Sequence, residues 1–288
     1  MQTTRLSIVI PAHNECPGLT DLLPALRQSF PDAEIILSDD GSTDGSDALA
    51  GEPGMRRVVS PYCAGNGAAV KRGVRAASGD VILLMDGDGQ HQAKDAERLV
   101  RRFFEDGYDM VVGARRGRSQ ASIGRSLANR IYSALASWMT GRRIPDLTSG
   151  MRVVDADKLR EFLHLLPNGF SYPTTVTMAF FRSGFSVGYE PIEALPRKGN
   201  SHIRPVRDGV RFLVIIFKIG SLYSPLKLFL PISLLAFLGG VGLYVYTFLT
   251  AGRFTNMSVL LLSTSLLVFL IGLVSEQITS LMFSRRGG

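Results

Sequence analysis

Two long stretches without a charged side chain constrain this chain more than any other feature. Residues 228–250 and 256–275 contain no Asp, Glu, Lys or Arg. At ~1.5 Å per residue, each stretch is long enough to cross ~30 Å of bilayer hydrocarbon as a helix. Only a short connector separates them, so the pair predicts a membrane-spanning helical hairpin.

The charges around the hairpin predict its orientation. Arg253 is the only charged residue of the connector, whereas many basic residues flank the outer ends of the two stretches. The positive-inside rule therefore places both termini in the cytoplasm. The flanking residues are Arg204, Arg207, Arg211, Lys218, Lys227, Arg285 and Arg286.

The segment before the hairpin combines basic and apolar residues at helical spacing. Arg207, Arg211 and Lys218 lie among large apolar residues in 206–221. This pattern favours an amphipathic helix at a bilayer surface, although an ordinary core helix has a similar pattern. We assign 206–224 to this interfacial helix and 225–288 to the hairpin.

The first 205 residues have a different organisation and are expected to be cytoplasmic. Their first apolar run is too short for a signal peptide, and the two cysteines have no paired spacing, which favours a reducing compartment. Short apolar runs alternate with helical patterns, which predicts an α/β domain with a mostly parallel sheet and helices on both faces. The expected strands are 6–10, 35–37, 58–59, 81–85, 110–113 and 185–192.

Polar clusters follow the first, second and fourth of these expected strands directly. They occupy residues 11–15, 38–44 and 86–91. In sheets of this kind, ligands bind beyond the carboxyl ends of the strands. Because those ends share one edge of the sheet, the clusters predict a single site rather than scattered polar loops.

The third cluster has the chemistry of a metal site. Asp86, Asp88 and Gln90 are separated by single glycines directly after a buried strand. Two carboxylates this close repel each other, and a divalent cation such as Mg²⁺ relieves that repulsion because it prefers oxygen ligands. A polar Asp-Gly turn without a metal is the alternative.

A basic stretch without acidic residues extends over residues 110–145. Such a field attracts phosphates, nucleic acid or anionic lipid. Nothing in the sequence resembles a nucleic-acid reading module, so we expect no nucleic-acid partner. The arginines of this stretch are Arg115, Arg116, Arg118, Arg125, Arg130, Arg142 and Arg143.

Six motifs, in their order along residues 5–205, resemble glycosyltransferase family 2. The closer resemblance is to its polyprenyl-phosphate glycosyltransferase group, and the specificity lies in the order and spacing of the set. The resemblance implies a GT-A fold and an inverting transfer that uses Mg²⁺ or Mn²⁺. The motifs are PAHNE, SDDGSTDGS, GNGAAVKRG, MDGDGQH, DLTSGMR and RKGNSHIR.

The resemblance also implies how the donor, a nucleotide-diphosphate sugar, is bound. Asp86, Asp88 and Gln90 match the family's metal-binding motif, which holds the cation on the donor's two phosphates. The nucleotide-sugar residues implied are Pro11, His13, Glu15, Asp39, Asp40, Lys71, Asp86 and Asp88.

The same resemblance implies an acceptor site for a lipid-linked phosphate. Arginine suits this task because its planar fork can bind two phosphate oxygens. The catalytic residues implied are Asp88, Arg115, Arg125 and Arg197. We expect Arg142 and Arg143 to contact anionic lipid instead. The acceptor residues implied are Arg115, Arg125, Asn129, Arg152, Arg197 and Ser201.

We assign no catalytic base. A phosphate monoester has a second pKa of about 6 and is largely dianionic at neutral pH, so it can attack without losing a proton. Asp146, just ahead of the LTSGMR segment, is the acidic residue that could act as a base instead.

The sequence therefore predicts a membrane-anchored transferase that moves a hexose from a nucleotide sugar to polyprenyl phosphate. Mannose from GDP-mannose is the first expectation, and glucose from UDP-glucose is the second. A processive polysaccharide synthase and a non-catalytic nucleotide- or lipid-binding adaptor are the rivals. Self-association is left open.

Overall fold

The computed structural model describes residues 4–46, 49, 54–115, 123–169, 171–193, 195, 217 and 220–284. The chain divides into two compact units, Met1–Ile203 and Arg204–Gly288. Most of the expected interfacial helix 206–224 lies outside the described residues. That expectation stays a prediction.

The first unit contains a seven-stranded sheet of order β3-β2-β1-β4-β6-β5-β7. Every neighbouring pair is parallel except for the two that involve β6, which is antiparallel to β4 and β5. The expectation of a mostly parallel sheet is confirmed. The strands are β1 Leu6–Ala12, β2 Glu34–Asp39, β3 Met55–Val59, β4 Val81–Leu84, β5 Met110–Arg115, β6 Arg152–Asp155 and β7 Val187–Ile192.

Helices pack on both faces of this sheet, because β1 carries apolar residues on both of its sides. Ile8 and Ile10 join a core that includes residues of the helices α1 and α3. Val9 points to the other face, where a Cβ added to Gly73 of α2 would lie 2.4 Å from its Cγ1. The helices are α1 Cys16–Ser29, α2 Asn66–Ala76, α3 Ala93–Asp106, α4 Ile123–Thr140, α5 Ala156–Glu161 and α6 Tyr172–Arg182.

The fifth helix is shorter than the helical pattern of residues 155–166 predicts. It begins where the carboxylate of Asp155 accepts the backbone N–H of Lys158 at 3.0 Å, which is a typical N-terminal cap. After Glu161 the backbone changes to tight turns, in which Phe162 and Leu165 donate to carbonyls three residues earlier. The pattern therefore predicted the start of the helix better than its end.

The second unit contains two further helices, α7 Pro225–Ala251 and α8 Asn256–Ser284. Both are long and apolar enough to cross a membrane, as judged by length and composition. Helix α8 extends beyond the predicted span 256–275, and Glu276 in this extension faces the first helix. Its Oε2 accepts the backbone N–H of Leu226 at 3.3 Å, so this carboxylate caps the start of α7.

The two hairpin helices are joined by a reciprocal pair of hydrogen bonds. The hydroxyl of Ser233 donates to the carbonyl of Ser265, and the hydroxyl of Ser265 donates to the carbonyl of Ser233, each at 2.9 Å. Both side chains are buried between the helices. Small residues let the helices approach, since a Cβ on Gly240 would lie 3.0 Å from Leu262.

Ser265→Ala is expected to weaken this helix pair by about 0.6 kcal/mol, a typical value for a hydrogen bond between membrane helices. The exposed Ser263 of the same helix provides the control Ser263→Ala. Unfolding of the full chain in mixed micelles with increasing SDS measures the difference. Equal stability of both variants would show that the serine pair contributes nothing.

Candidate active site

The predicted nucleotide residues lie side by side at the carboxyl ends of two neighbouring parallel strands. The register pairs Pro11 with Ser38 and Ala12 with Asp39. His13 follows directly, and its Nδ1 lies 2.9 Å from the carbonyl oxygen of Asp40. The carbonyl of Glu15 accepts the backbone N–H groups of Gly18 and Leu19, while that of Cys16 donates to Asp44 of the second cluster. The structure therefore brings the first two polar clusters together.

The two aspartates at the end of β2 are buried and engaged by the protein itself. Asp39 accepts the backbone N–H of Ser42 at 2.8 Å and the guanidinium of Arg57. Burial alone would raise the pKa of Asp39, but these hydrogen bonds outweigh it and hold the pKa below the ordinary value. Asp40 accepts the backbone N–H of Gly65 at 2.7 Å. These contacts hold both carboxylates in place, while contact with base or ribose stays a prediction.

The helix that follows the glycine loop has a structural role that the sequence did not reveal. The ammonium of Lys71 donates to the carbonyl of Leu166 at 3.1 Å and to the side chain of Asn168. The backbone N–H groups of Gly67 and Ala68 donate to carbonyls of the same loop. These N–H groups of α2 therefore hold the 166–169 loop. Because the ammonium of Lys71 is engaged there, the arrangement does not support its expected contact with the nucleotide sugar.

Arg72, one position further along α2, contacts the two aspartates at the end of β2 instead. Its guanidinium lies 3.3 Å from the carbonyl of Asp39 and 3.5 Å from the carboxylate of Asp40. It therefore contacts the backbone of Asp39 and the side chain of Asp40.

The metal motif follows β4 as the sequence predicts, and the neighbouring strand determines its shape. The antiparallel register pairs Leu84 of β4 with Arg152 of β6. Two residues further along, this register sets Asp86 opposite Gly150. A Cβ on Gly150 would lie 1.9 Å from Oδ2 of Asp86. Only glycine leaves room for the carboxylate at this point.

His91 is a site residue that the sequence reasoning missed, although it ends the MDGDGQH motif. Its Nε2 lies 3.8 Å from Oδ2 of Asp86, and its ring is buried. Burial alone would raise the pKa of Asp86. His91, Arg115 and Arg152 outweigh that effect, so the pKa lies below its ordinary value. Asp86 is therefore a carboxylate at neutral pH.

Gln90 links the metal motif to a later part of the chain. Its side-chain Nε2 donates to the carbonyl of Leu195 at 3.2 Å, and its backbone carbonyl accepts the backbone N–H of Leu195 at 2.9 Å. The backbone N–H of Gln90 donates to Asp88 at 3.1 Å. A cation contact of Gln90 would therefore use Oε1 only.

Arg115, at the end of β5, binds Asp146 through two parallel hydrogen bonds. Its Nε and a terminal nitrogen lie 2.7 and 3.0 Å from the two carboxylate oxygens. Burial alone would raise the pKa of Asp146, but the bonds from Arg115 and Thr148 hold it below the ordinary value. A carboxylate so stabilised is a poor proton acceptor, which argues against Asp146 as a general base.

Arg115 also faces the metal motif. Burial lowers the pKa of its guanidinium, but the charges of Asp146, Asp86 and Asp88 raise it overall. Its side chain keeps 21% of its surface exposed, so a phosphate contact stays a prediction.

Arg152 differs from the acceptor role that the resemblance implies. The residue is fully buried, with 0% of its surface exposed. Its guanidinium donates to the carbonyls of Ser149 and Pro173 and to the hydroxyl of Thr177. In this structure Arg152 is therefore not placed to touch a phosphate.

The remaining acceptor residues are described incompletely. Arg125 and Asn129 lie on α4, of which the structure describes the backbone but not these side chains. Arg197 and Ser201 lie outside the described residues. Their predicted roles stay predictions.

The residues at the end of β4 fit a divalent cation that takes some ligands from the protein and the others from a substrate. Within the described part of the chain, no group of three or more His, Cys, Asp or Glu side chains could hold a metal on its own. Asp86 and Asp88 supply carboxylate oxygens, and Asp86 keeps 30% of its side chain exposed. Mg²⁺ typically binds to one or two carboxylates and to substrate phosphates, which is the donor set available here.

This fold and this strand-end site define a GT-A glycosyltransferase. Residues 7–163, more than half of the chain, match Glycosyl transferase family 2, so the chain belongs to that family. Residues 224–281 match the GtrB C-terminal hairpin. The resemblance derived from the six motifs is therefore confirmed.

Curated relatives match different shares of the chain. Glycosyltransferase AglJ of Haloferax volcanii is 28% identical over 247 residues, which cover 83% of this chain and 80% of the relative. The undecaprenyl-phosphate 4-deoxy-4-formamido-L-arabinose transferase of Photorhabdus laumondii is 32% identical over 192 residues, or 60% of this chain. The matched part covers 58% of that transferase.

Solved structures share the fold. Glucosyl-3-phosphoglycerate synthase of Mycobacterium tuberculosis with phosphoglyceric acid has a TM-score of 0.59 at 21% identity, covering 76% of this chain and 79% of that one. The same enzyme with Mn²⁺, UDP and glucosyl-3-phosphoglycerate has a TM-score of 0.57 at 20% identity, covering 75% and 78%.

Gly150→Ala is expected to displace the Asp86 carboxylate while the fold persists, because the atom in the way ends a side chain. We expect Mn²⁺ affinity in the presence of nucleoside diphosphate to fall at least about tenfold, or ~1.4 kcal/mol. Electron paramagnetic resonance of free Mn²⁺ measures this. Gly169→Ala is the control, since a Cβ there meets nothing within 4 Å. Unchanged affinity in Gly150→Ala would contradict the close contact.

Proposed function

We propose that this chain transfers a hexose from a nucleotide-diphosphate sugar to polyprenyl phosphate at the cytoplasmic face of a membrane. The observation that carries the proposal is the combination, in one chain, of the strand-end carboxylates with the GtrB-type hairpin. A relative named as an undecaprenyl-phosphate transferase supports the acceptor class. Solved relatives with UDP and Mn²⁺ support the donor class and the cation.

In this proposal the donor binds along the carboxyl edge of the sheet. Pro11, His13, Glu15, Asp39 and Asp40 receive the nucleoside, and Asp86 and Asp88 face the diphosphate. Mg²⁺ or Mn²⁺ held by Asp86, Asp88 and Oε1 of Gln90 would supply positive charge to the leaving diphosphate.

The acceptor reacts as a phosphate dianion. One of its oxygens attacks the anomeric carbon as the bond to the diphosphate breaks, which inverts the configuration. Arg115, which remains partly exposed beside Asp86 and Asp88, stabilises negative charge near the reacting groups. Arg125, Arg197, Asn129 and Ser201 complete the acceptor site in this proposal.

No side chain needs to remove a proton in this reaction. Asp146 has a pKa below its ordinary value and is bound by Arg115, so its carboxylate orients an arginine. An enzyme that glycosylates a hydroxyl would need a general base here. This arrangement therefore supports a phosphate acceptor.

The donor sugar and the orientation are finer proposals. Mannose from GDP-mannose is favoured, followed by glucose from UDP-glucose. A processive polysaccharide synthase is disfavoured because its Q-x-x-R-W motif is missing and the only tryptophan is Trp138. A non-catalytic adaptor is disfavoured by the membership in a transferase family.

The proposed activity is tested with membranes that contain the full chain. Labelled GDP-mannose or UDP-glucose is incubated with polyprenyl phosphate and Mg²⁺ or Mn²⁺, and lipid is extracted. We expect labelled lipid when sealed inverted vesicles receive the donor, and none with right-side-out vesicles. Failure to label lipid with any common nucleotide sugar would overturn the proposal.

Asp88→Asn is expected to reduce this activity at least about a hundredfold, since removal of one electrostatic contact at a reacting centre typically has this effect. Asp157→Asn is the matched control, because Asp157 is 91% exposed and pairs with Arg160 on α5. Initial rates at saturating Mn²⁺ provide the comparison. Full activity of Asp88→Asn would refute the metal assignment, but it would not refute the transfer of sugar to lipid.

The rate should follow the ionisation of the acceptor. Because the second pKa of a phosphate monoester is about 6, we expect kcat/KM for the acceptor to be constant above pH ~7. It should fall about tenfold per unit below pH ~5.5, since the dianion becomes scarce. Donor affinity is measured over the same range as the control. A rate that stays constant down to pH ~5 would exclude the dianion as nucleophile.

A further inference from the structure

Arg152 is a buried cation whose direct partners are all neutral. No part of the residue is exposed, and its acceptors among the described residues are two carbonyl oxygens and one hydroxyl. Its guanidinium also lies 5.8 Å from the ring centre of Tyr172. Burying a charge costs several kcal/mol unless opposing charge compensates it. Compensation must therefore come from negative charges that Arg152 does not contact directly.

The register of the sheet relates Arg152 to the carboxylate of Asp86. Arg152 pairs with Leu84 on the antiparallel neighbour β4. Since alternate residues of a strand share one face, Arg152 lies on the same face as Gly150, and Leu84 on the same face as Asp86. The missing side chain of Gly150 leaves the space that Asp86 occupies. The guanidinium donates to the carbonyl of Ser149, next to that space.

Among the described residues around Asp86, the acidic and basic side chains of this cluster nearly balance before any cation binds. Asp86, Asp88 and Asp146 carry three negative charges when ionised, and Arg115 and Arg152 carry two positive charges. Arginine remains protonated in proteins at neutral pH. A free divalent cation would add two positive charges to a site with one excess negative charge. A cation bound to a diphosphate would bring its own negative charge with it.

Building on the proposed function, we infer that Arg152 is a positioning residue whose buried charge opposes the binding of a free divalent cation at Asp86 and Asp88. The cation then binds strongly only together with the diphosphate of the donor. The rival interpretation is purely structural, in which Arg152 only joins β6 to the start of α6 through Pro173 and Thr177. The two interpretations predict opposite changes when the charge is removed.

The test measures free Mn²⁺ in solutions of the purified full chain by electron paramagnetic resonance, without nucleotide. We expect Arg152→Met to bind Mn²⁺ at least about tenfold more tightly than the wild type, which corresponds to ~1.4 kcal/mol. Arg152→Lys keeps the charge, so its affinity should stay close to the wild-type value. Weaker or unchanged binding by a folded Arg152→Met chain would overturn the inference.

A second measurement covers the case in which Arg152→Met does not fold, as judged by circular dichroism. Arg152→Gln can still donate a hydrogen bond to a carbonyl of Ser149 or Pro173, and the same increase in affinity is expected. In the wild type, saturating GDP or UDP should increase Mn²⁺ affinity at least about tenfold. The increase should be smaller in the neutral variants. Equal Mn²⁺ affinity of the wild type with and without nucleotide would overturn the inference.

These outcomes separate the inference from the proposed function. Tight binding of free Mn²⁺ by a wild-type chain that still labels polyprenyl phosphate would refute only the role of Arg152. A chain that binds no Mn²⁺ with or without nucleotide would refute the metal-dependent transfer as well.

Discussion

The insertion of antiparallel β6 between β4 and β5 is the constraint on which the arrangement of the site depends. It brings Gly150 opposite Asp86 and Arg152 opposite Leu84, and on its other side it pairs Arg152 with Val112 of β5. A single short strand therefore determines where Asp86 lies relative to the buried Arg152. Without this strand, the end of β4 would be a pair of repelling carboxylates with no fixed geometry.

The carboxyl ends of β1 and β2 follow a second principle, in which backbone groups fix the acidic side chains. Asp39 and Asp40 accept the N–H groups of Ser42 and Gly65. An arginine of β3 forms an ion pair with Asp39, and an arginine of α2 forms one with Asp40. Hydrogen bonds of this kind stabilise the charged form of a carboxylate. These contacts hold both carboxylates in place, and groups that are already fixed lower the ordering cost of binding a ligand.

Sequence reasoning placed Pro11, Asp39 and Asp86 correctly at one edge of the sheet, because the carboxyl ends of parallel strands coincide. It also located the hairpin, since a charge-free stretch of that length has few alternatives. It could not find the contact between Gly150 and Asp86, which depends on the register of an antiparallel strand. For the same reason it did not find the hydrogen bonds from Lys71 to Asn168 and from Arg152 to Pro173, which join residues distant in the sequence.

The serine pair of the hairpin has a mechanical consequence. Each residue of an α-helix advances by about 100° around the axis, so rotation of either helix by one position would break both bonds between Ser233 and Ser265 at once. The hairpin therefore resists twisting and presents two fixed sides to its surroundings. In a membrane, the surrounding lipids would therefore meet one fixed set of side chains rather than a surface that changes as the helices rotate.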